Sequence, residues 1–402
     1  MNRRLFLSTA AAGLRTMARA QQPPASVPDA IRNLRPMTGG IQPITTEERR
    51  ARVEKARRLM HENRLDAVLM EGGSSAFYFT GVRSDGAVVL PLRGEIVWLT
   101  RAADAVGNSR SWVTDEGKYK TIANALKDGG VAAGRLGVEE RVRFDIVDGL
   151  SKLAPGLEFI SAEPVTAGCR MIKSPAEIAL MQRANDITIA AYKAALANLR
   201  EGMTQRELSA NIGEAYRALG VQGSAMAIFG KYTAFPHGSV QPQQLREGDL
   251  VLIDDGCSVE GYQSDITRTV IFGRPTGRQR EIWGLERRAQ DAALAAAKPG
   301  ATCESVDAAA RKVITDAGFG PGYRVPGLPH RTGHGIGLDG HEWTYLVRGN
   351  KTRLQPGMCF SDEPTIAIYG EFGVRLEDCM YITEDGARMF TKQSPAIDQP
   401  FG

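Results

Sequence analysis

The 402-residue sequence has no apolar run long enough to cross a bilayer as a helix, and it has few cysteines. The five cysteines are odd in number and scattered, at positions 169, 257, 303, 359 and 379, so they form no paired disulfide framework. We expect most of them to be small buried apolar residues. Low-complexity and fibrous compositions are also absent, which leaves a folded chain long enough for two domains.

Excess charge of one sign is confined to the first twenty residues. The formal net charge is +4, and residues 1–20 contain no acid and four arginines, Arg3, Arg4, Arg15 and Arg19. The rest of the chain is therefore neutral. It has no excess of positive charge that would attract nucleic acid or acidic membranes, so we expect neither as a partner.

Those twenty residues have the pattern of an export signal. Asn2-Arg3-Arg4-Leu5-Phe6-Leu7 resembles the twin-arginine signature, and a short apolar stretch follows it. Ala18-Arg19-Ala20 then offers small residues to a signal peptidase. We expect residues 1–20 to be a twin-arginine signal peptide that directs the protein to the periplasm. The alternative is a basic N-terminus with no targeting role.

Local signals predict two domains after a linker. Residues 21–44, rich in proline, are predicted to be an extended linker or arm. A capping box at 45–48 opens residues 45–168, a small α/β domain in which strands alternate with helical stretches near 102–128 and 143–153. A second capping box, Ser174-Pro175-Ala176-Glu177, opens the first long helix of the larger domain, 169–402.

Two predicted hairpins of the larger domain each carry an acid on either arm. Asp254 and Asp265 lie on the first hairpin, and Glu363 and Glu377 lie on the second. Carboxylates that face a core are costly to bury unless they are paired or bind a metal. Either each hairpin shows its acids to solvent, or the two pairs converge and their four negative charges attract divalent ions.

The histidines favour the second alternative. Four of the five lie in this half of the chain, His237 and then, within twelve residues, His330, His334 and His341. Imidazole is the commonest nitrogen ligand and the commonest general acid or base. Glycines at 333, 335, 337 and 340 have no side chain and allow the backbone to approach a bound group closely. The clustering indicates a metal or catalytic site more than four unrelated core histidines.

The series Asp254, Asp265, His334, Glu363 and Glu377 resembles the ligand series of the pita-bread metallopeptidases, which include aminopeptidase P, prolidase and methionine aminopeptidase. Further similar strings are Asp254-Asp255-Gly256, Gly333-His334-Gly335-Ile336-Gly337, Glu363-Pro364 and Arg375-Leu376-Glu377-Asp378. The resemblance covers 170–402 strongly and 45–165 more weakly. It implies an α/β fold in which a small creatinase-like domain precedes a catalytic domain of two αβ halves about a pseudo-twofold.

The resemblance also implies a dinuclear metal site. Asp265 and Glu377 would bridge the two divalent ions, Asp254 would complete one site, and His334 and Glu363 the other. One nitrogen among many oxygens suits Mn²⁺ first, with Co²⁺, Zn²⁺ and Fe²⁺ as alternatives. A water bridging the ions would attack the substrate, and Glu363 would take its proton.

The remaining site residues follow from the same resemblance and from strand parity. His237 and His341 match family histidines that contact substrate near the scissile bond, and His330 matches one on the proline side of the pocket. Arg375 shares a strand face with Glu377 and is predicted to orient the ligands, the alternative being a surface arginine paired with an acid. Asp255 and Asp378 adjoin ligands and should point to the opposite face, so neither is predicted to bind metal.

The predicted activity is that of an Xaa-Pro aminopeptidase, which releases the N-terminal residue from peptides with proline in second position. The protein would act on such peptides as a homodimer. The alternatives are an Xaa-Pro dipeptidase (prolidase), a non-peptide amide hydrolase or lyase on the same site, and a silent binding module, which the intact ligand series disfavours. One departure is Ala367, where many aminopeptidase P sequences have a tyrosine assigned to proton shuttling; Tyr369 would replace it only in another strand register.

Overall fold

The N-terminal domain is built on one mixed six-stranded sheet. The computed structural model describes residues 27–83, 85–101 and 108–401, so the predicted signal peptide lies outside the described residues. The sheet has the order β4-β3-β2-β1-β5-β6. Its strands are β1 (Ala67–Glu71), β2 (Ala87–Pro91), β3 (Val97–Thr100), β4 (Ser109–Ser111), β5 (Gly134–Val138) and β6 (Leu157–Ser161). The helices are α2 (Thr46–Glu62), α3 (Gly73–Thr80), α4 (Asp115–Asp128), α5 (Phe144–Leu153) and α6 (Glu163–Arg170).

Helices cover both faces of this sheet, which explains the continuous apolar run of its central strand. Val68 and Met70 belong to a core that includes residues of α2 and α6, whereas Ala67 and Leu69 belong to a second core with residues of α4 and α5. A strand buried on both faces needs apolar residues at every position.

The helix predicted for 102–128 is wrong for residues 108–114, while 102–107 lie outside the described residues. Residues 109–111 form β4, which pairs in parallel with β3, and the helix begins only at residue 115. The Thr114 side chain accepts a hydrogen bond from the amide of Gly117 and caps the helix there. Backbone pairing at the sheet edge thus overrides the helical pattern upstream of this cap.

The larger domain consists of two halves with the same order of elements: two helices, strands, and a long hairpin. The first half contains α7 (Pro175–Leu196), α8 (Gln205–Ala218), β7 (Gln222–Gly223), β8 (Met226–Phe229), a 3₁₀ helix (Gly230–Ala234), β9 (Leu250–Asp254), β10 (Cys257–Val259), β11 (Tyr262–Gln263) and β12 (Arg268–Ile271). The second contains α9 (Gly277–Ala296), α10 (Cys303–Asp316), β13 (Gly333–Gly335), β14 (Glu342–Leu346), β15 (Cys359–Asp362), β16 (Thr365–Ile368), β17 (Phe372–Arg375), β18 (Asp378–Ile382) and β19 (Ala387–Met389).

Each long hairpin is interrupted in the middle of both arms. In the first half β9 pairs with β12 and β10 with β11; in the second half β15 pairs with β18 and β16 with β17. The four acids singled out in the sequence lie at these interruptions. Asp254 ends β9, Asp265 lies between β11 and β12, Glu363 follows β15, and Glu377 lies between β17 and β18.

The described part of the predicted linker, residues 27–44, packs on the same chain. It contains the short helix α1 (Asp29–Arg32), which contacts α7 and α8. Ile31 and Ile44 are buried, and the amide of Met37 donates to the carbonyl of Leu219 over 2.9 Å. These residues of the predicted linker or arm are therefore not extended throughout: they include a helix, and their apolar side chains are buried against the catalytic domain.

The two domains share a core and a buried ionic network. One apolar cluster runs from Met60 and Val165 of the N-terminal domain to Met181 and Ile187 of α7. At the same junction Arg170 pairs with Asp339 over 2.6 Å and with Glu342, and Lys173 pairs with Glu342 over 3.0 Å. No helix within the described residues is long and apolar enough to span a membrane.

Candidate metal centre

The structure brings the five predicted ligands together where the two interrupted hairpins meet. Ligand atoms of Asp254, Asp265 and Glu377 all lie within 4.8 Å of one another, as do those of His334, Glu363 and Glu377. His334 Nε2 is 3.3 Å from a Glu363 oxygen and 3.6 Å from an Asp265 oxygen. Glu377 belongs to both groups, and Asp265 lies within reach of both, which is the arrangement expected of bridging ligands.

His334 is positioned with one nitrogen free for a ligand. It lies on β13, where its ring is buried and its Nδ1 lies 3.1 Å from the carbonyl oxygen of Gly335. A proton on Nδ1 leaves the Nε2 lone pair directed at the carboxylates. Burial, followed by the charges of His341 and Arg331, lowers the pKa of His334 well below its usual range, so the ring is neutral as a metal ligand must be.

The carboxylates repel one another in the absence of cations. Burial and then the charges of Asp254 and Glu363 raise the pKa of Asp265 well above its usual range. The same happens to Glu377 through burial and then Asp265 and Glu363. Burial raises the pKa of Glu363 to about 7, against the opposing charge of Arg375. Concentrated buried negative charge of this kind is stabilised by divalent cations.

These residues fit a pair of divalent ions. Glu377 Oε1 is buried and has no hydrogen-bond partner in the described part of the chain, while Oε2 is 2.6 Å from the hydroxyl of Thr267. One oxygen is thus fixed and the other faces the ligand cluster. The donor set of four carboxylates and one imidazole is the hard set that divalent Mn, Co, Zn or Fe accepts.

Arg375 contacts one predicted ligand directly and reaches a second through Thr267. Its guanidinium pairs with Asp254, its Nε donates to Thr267 Oγ1 over 3.0 Å, and its NH1 donates to the carbonyl of Pro236 over 3.1 Å. Arg375 is buried, so the alternative of a surface arginine does not apply.

Thr267 is a site residue that the sequence reasoning missed. Its hydroxyl lies between Asp254 and Glu377, to either of which it can donate, and it accepts from Arg375. It therefore links one acid of each hairpin. The available signal was spacing: Thr267 is two residues beyond Asp265 in a segment that the sequence predicts to be a hairpin arm, so both side chains could be expected on one face.

The three further histidines surround the cluster at different depths. His330 is half-buried, with Nε2 3.0 Å from Thr365 Oγ1, and burial followed by the charge of Arg375 lowers its pKa to about 3. His341 is exposed and its ring centre is 3.8 Å from that of His334. His237 is exposed on the loop after the 3₁₀ helix and lies within electrostatic range of His330 and His341.

His341 is also close enough to be considered as a ligand. One of its nitrogens lies within 4.8 Å of ligand atoms of Asp265 and His334. Its Nδ1, however, accepts a hydrogen bond from Arg331 over 2.9 Å. In the neutral ring the proton is then on Nε2, and a protonated nitrogen donates rather than ligates. The structure thus gives His341 the form of a hydrogen-bond donor beside His334.

The acids next to the ligands point away from the cluster. The Asp255 carboxylate accepts from the Ser224 hydroxyl over 2.8 Å and from the amide of Gly256 over 2.9 Å. Asp378 pairs with the buried Arg268 over 2.7 Å. Neither acid appears among the grouped ligand atoms of the described residues.

Ala367 is fixed in a strand and no tyrosine takes its place there. It pairs with Gly373 across the β16–β17 hairpin and forms a bridge with Gly327 on its other side. Tyr369 lies beyond the end of β16, about half exposed, and stacks on Phe235 with ring centres 5.3 Å apart. The register is therefore the ordinary one, and Tyr369 forms part of an exposed aromatic pair.

Two family models match the chain. Residues 179–384 match metallopeptidase family M24, and residues 52–172 match the creatinase/prolidase N-terminal domain. The first match contains all five predicted ligands and all four histidines of the site. The second corresponds to the domain built on the six-stranded sheet.

Related proteins, among them some of solved structure, align with this chain over most of their length. An Xaa-Pro dipeptidase from Pyrococcus furiosus is 33% identical over 348 residues, 85% of this chain and 97% of that protein. A dipeptidase structure from Pyrococcus horikoshii superposes with a TM-score of 0.79 at 30% identity, over 85% of this chain and 98% of that one. An X-Pro aminopeptidase structure from Thermotoga maritima has a TM-score of 0.72 at 26% identity, over 83% and 97%. The chain is therefore a member of metallopeptidase family M24, with a creatinase/prolidase N-terminal domain before a pita-bread catalytic domain.

Proposed function

We propose that the protein is an Xaa-Pro dipeptidase, which hydrolyses dipeptides whose second residue is proline. The observation that carries the proposal is the end-to-end similarity to relatives named as Xaa-Pro dipeptidases, 33% and 31% identical over 85% of this chain. This similarity favours the dipeptidase alternative over the aminopeptidase interpretation of the sequence. The buried Ala367, at the position of the aminopeptidase P tyrosine, supports the same choice.

The residues of the site can perform amide hydrolysis. Two divalent ions held by Asp254, Asp265, His334, Glu363 and Glu377 would supply a Lewis acid for the scissile carbonyl and would lower the pKa of the attacking water. Glu363 would accept that water's proton, because it belongs to the cluster and the neighbouring Ser361 hydroxyl is its only described side-chain hydrogen-bond donor. His341, as an Nε2–H donor beside His334, is placed to hold the substrate carbonyl, with His237 on the facing loop.

A comparison of three substrates tests the proposal. Protein loaded with Mn²⁺ is assayed for release of alanine from Ala-Pro, Ala-Pro-Ala and Ala-Ala. A dipeptidase hydrolyses Ala-Pro and leaves Ala-Pro-Ala largely intact, whereas equal rates on the first two substrates would restore the aminopeptidase interpretation. No cleavage of either proline peptide by a protein that still binds two ions would favour the non-peptide alternative.

A substitution in the cluster links this activity to the metal centre. Asp265→Ala removes a carboxylate shared by both sites and should abolish Ala-Pro hydrolysis, with metal content falling below two ions per chain. Asp255→Ala is the matched control, since Asp255 is the adjoining acid on the opposite face. Equal losses in the two variants would contradict the assignment of Asp265.

Manganese as the native ion belongs to this proposal, supported by the oxygen-rich ligand set. Apoprotein reconstituted with Mn²⁺, Co²⁺, Zn²⁺ or Fe²⁺ in turn should be most active with Mn²⁺. Metal analysis of protein purified without added ions checks the same point independently.

Export through the twin-arginine route is also part of the proposal, supported by Arg3, Arg4 and the Ala18-Arg19-Ala20 motif. Replacing both arginines with lysine should retain the protein in the cytoplasm, as fractionation would show.

The proposed homodimer is checked by light scattering after size-exclusion chromatography. A monomer at assay concentration would contradict it.

A further inference from the structure

The backbone of Asp265 is held by a side chain of the other long hairpin. Asp265 lies in the interruption between β11 and β12, where strand pairing provides it with no partner. Its amide donates to the sulfur of Cys379 over 3.3 Å, and the thiol of Cys379 donates to its carbonyl over 3.1 Å. Neither of these backbone groups has another hydrogen-bond partner among the described residues. One thiol therefore serves both backbone groups of a residue arranged as a bridging ligand.

The residues on either side of Asp265 are paired differently. The amides of Ser264 and Ile266 donate to backbone carbonyls of their own hairpin, over 3.0 and 3.1 Å. Both residues are buried, so water has little access to this stretch of backbone. Backbone polar groups that are shielded from water need a partner in the protein. For Asp265 that partner comes from the second hairpin, and it is Cys379.

The contact has a counterpart in the other half of the domain. Cys379 lies two residues beyond Glu377, just as Thr267 lies two residues beyond Asp265. The carbonyl of Thr267 accepts from the amide of Glu377 over 3.1 Å, and its hydroxyl lies 2.6 Å from the Glu377 carboxylate. Each of the two shared acids is thus held by the residue two positions beyond the other. This reciprocity indicates that the thiol contact belongs to the construction of the site.

Cys379 is placed to hold a ligand but not to be one. It is fully buried in β18, where it pairs with Ser361 of β15. Its sulfur is directed at the backbone of Asp265, and it is not among the grouped ligand atoms of the described residues. A thiol is a weak donor and a weak acceptor, so a single side chain can serve an amide and a carbonyl together.

We propose that Cys379 is a positioning residue of the metal centre: its thiol fixes the backbone of Asp265 and thereby the direction of the carboxylate that both metal sites share. A residue that orients metal ligands contributes to metal affinity without contacting the ion. The inference rests on the proposed two-ion site. It does not depend on the choice between dipeptidase and aminopeptidase.

The first test measures Mn²⁺ binding to apoprotein by competition with a chelator of known affinity. Cys379→Ala removes both hydrogen bonds and should weaken binding about 10- to 100-fold. Cys379→Ser keeps a donor and an acceptor and should recover part of the loss. Cys359→Ala is the matched control, because Cys359 is also buried in the second hairpin but its sulfur contacts only the nearby Gly357 carbonyl, over 3.7 Å, among the described residues.

The visible absorption of Co²⁺-loaded protein gives a readout that a merely structural role would not change. At saturating Co²⁺ the spectrum reports the arrangement of the ligands around the ion. It should change in Cys379→Ala, return towards that of wild type in Cys379→Ser, and match wild type in Cys359→Ala. Loss of a packed thiol would instead lower the unfolding midpoint of both alanine variants and leave both spectra unchanged.

Wild-type Mn²⁺ affinity together with an unchanged Co²⁺ spectrum in Cys379→Ala would overturn the inference. If Cys379→Ala does not fold, Cys379→Ser carries the test. Its oxygen lies closer to Cβ than sulfur does, so both bonds are lengthened and Mn²⁺ binding should weaken about two- to fivefold; wild-type affinity there would contradict the proposal.

Failure of the proposed function gives a different result. A wild type that binds two ions but cleaves no proline peptide would sink the dipeptidase proposal and leave the role of Cys379 standing, because the test measures metal binding rather than turnover. A wild type that binds no divalent ion would overturn the two-ion site, and the inference with it.

Discussion

Arg375 joins three parts of the site through one guanidinium. It contacts Asp254, Thr267 and the backbone of Pro236 through different nitrogens. Lysine keeps the charge but has a single nitrogen on a flexible stem, so it cannot maintain three directed contacts. We expect Arg375→Lys to lower metal affinity by about 10- to 100-fold, the usual cost of losing a residue that orients metal ligands.

Competition with a chelator of known affinity measures this effect. Arg278→Lys is the matched control, because the ion pairs of Arg278, with Glu281 and Glu371, are exposed to solvent. Unchanged metal affinity in Arg375→Lys would show that the charge of the residue, and not its fork of donors, holds Asp254 in place.

Strand parity predicted much of this detail, and it failed where a residue acts through its neighbours. Asp378 begins β18 and points away from the cluster, as the alternation of side chains along a strand predicts. Asp255 also points away, but it lies just beyond β9 with a positive φ of 125°, so strand alternation is not the reason there. Thr267 was missed, although its spacing from Asp265 was available as a signal. That its hydroxyl bridges two acids is seen only from the distances between segments far apart in sequence.

At the scale of single elements, two helix starts in the catalytic domain offer a direct comparison. Ser174 caps α7 in a full capping box with Glu177, and its hydroxyl also donates to Glu48 of α2 over 2.8 Å. Thr302 precedes α10 but makes no side-chain capping bond. We expect Ser174→Ala to lower the free energy of unfolding by about 1–2 kcal/mol and Thr302→Ala to lower it by a few tenths. Urea denaturation measures both; similar values would mean that the capping bond of Ser174 contributes little.

Element boundaries were predictable where a local interaction sets them. The helices predicted to begin after Thr45 and Ser174 do begin there: the Thr45 side chain accepts a hydrogen bond from the amide of Glu48, and Ser174 forms a full capping box with Glu177. The edge strand β4 was not predictable in this way, since its pairing partner β3 supplies the reason for its conformation. The sequence also did not predict the interruptions in the two long hairpins, although it did single out the acids that lie at them.

At the scale of the whole molecule, the domain junction depends on Glu342. Burial alone would raise the pKa of this carboxyl, but Lys173 and Arg170 outweigh it and hold the pKa at about 2. We expect Glu342→Gln to lower the free energy of unfolding at pH 7 by about 3–5 kcal/mol, because it leaves buried cations without their shared partner.

The difference in the free energy of unfolding between wild type and Glu342→Gln should become smaller as the pH falls. The folded-state pKa of about 2 lies below the ordinary value of 4.5, so the unfolded chain binds more protons between these two values. The contribution of Glu342 is therefore complete above about pH 4.5 and is lost as the pH falls towards 2. Denaturation of wild type and Glu342→Gln at several pH values should show the gap narrowing below pH 4.5. The exposed pair Lys312–Asp316 gives the control, since Asp316→Asn should change little at any of them.

The shared core makes a further prediction about how metal and fold are coupled. One apolar cluster includes Met60 and Val165 of the N-terminal domain, Met181 of α7, and Ile253 and Cys379 of the two ligand-bearing hairpins. Unfolding either domain exposes part of this cluster, so we expect the described chain to unfold in one transition. Ions that bind only the native state should raise the midpoint temperature of this transition. A free ion concentration of 100 times Kd contributes about 2.7 kcal/mol per site to the free energy of unfolding.

Differential scanning calorimetry with excess Mn²⁺ and after EDTA treatment measures this coupling. Removing the ions leaves four mutually repelling carboxylates in a buried cluster, and the midpoint of the single transition should fall by at least about 3 °C. Adding Mn²⁺ in excess of EDTA should restore it. In Asp265→Ala the shift should shrink, because one shared ligand is missing and the repulsion is weaker. Two resolved transitions, of which only one responds to metal, would show instead that the N-terminal domain unfolds independently despite the core and the Arg170–Glu342 pair it shares with the catalytic domain.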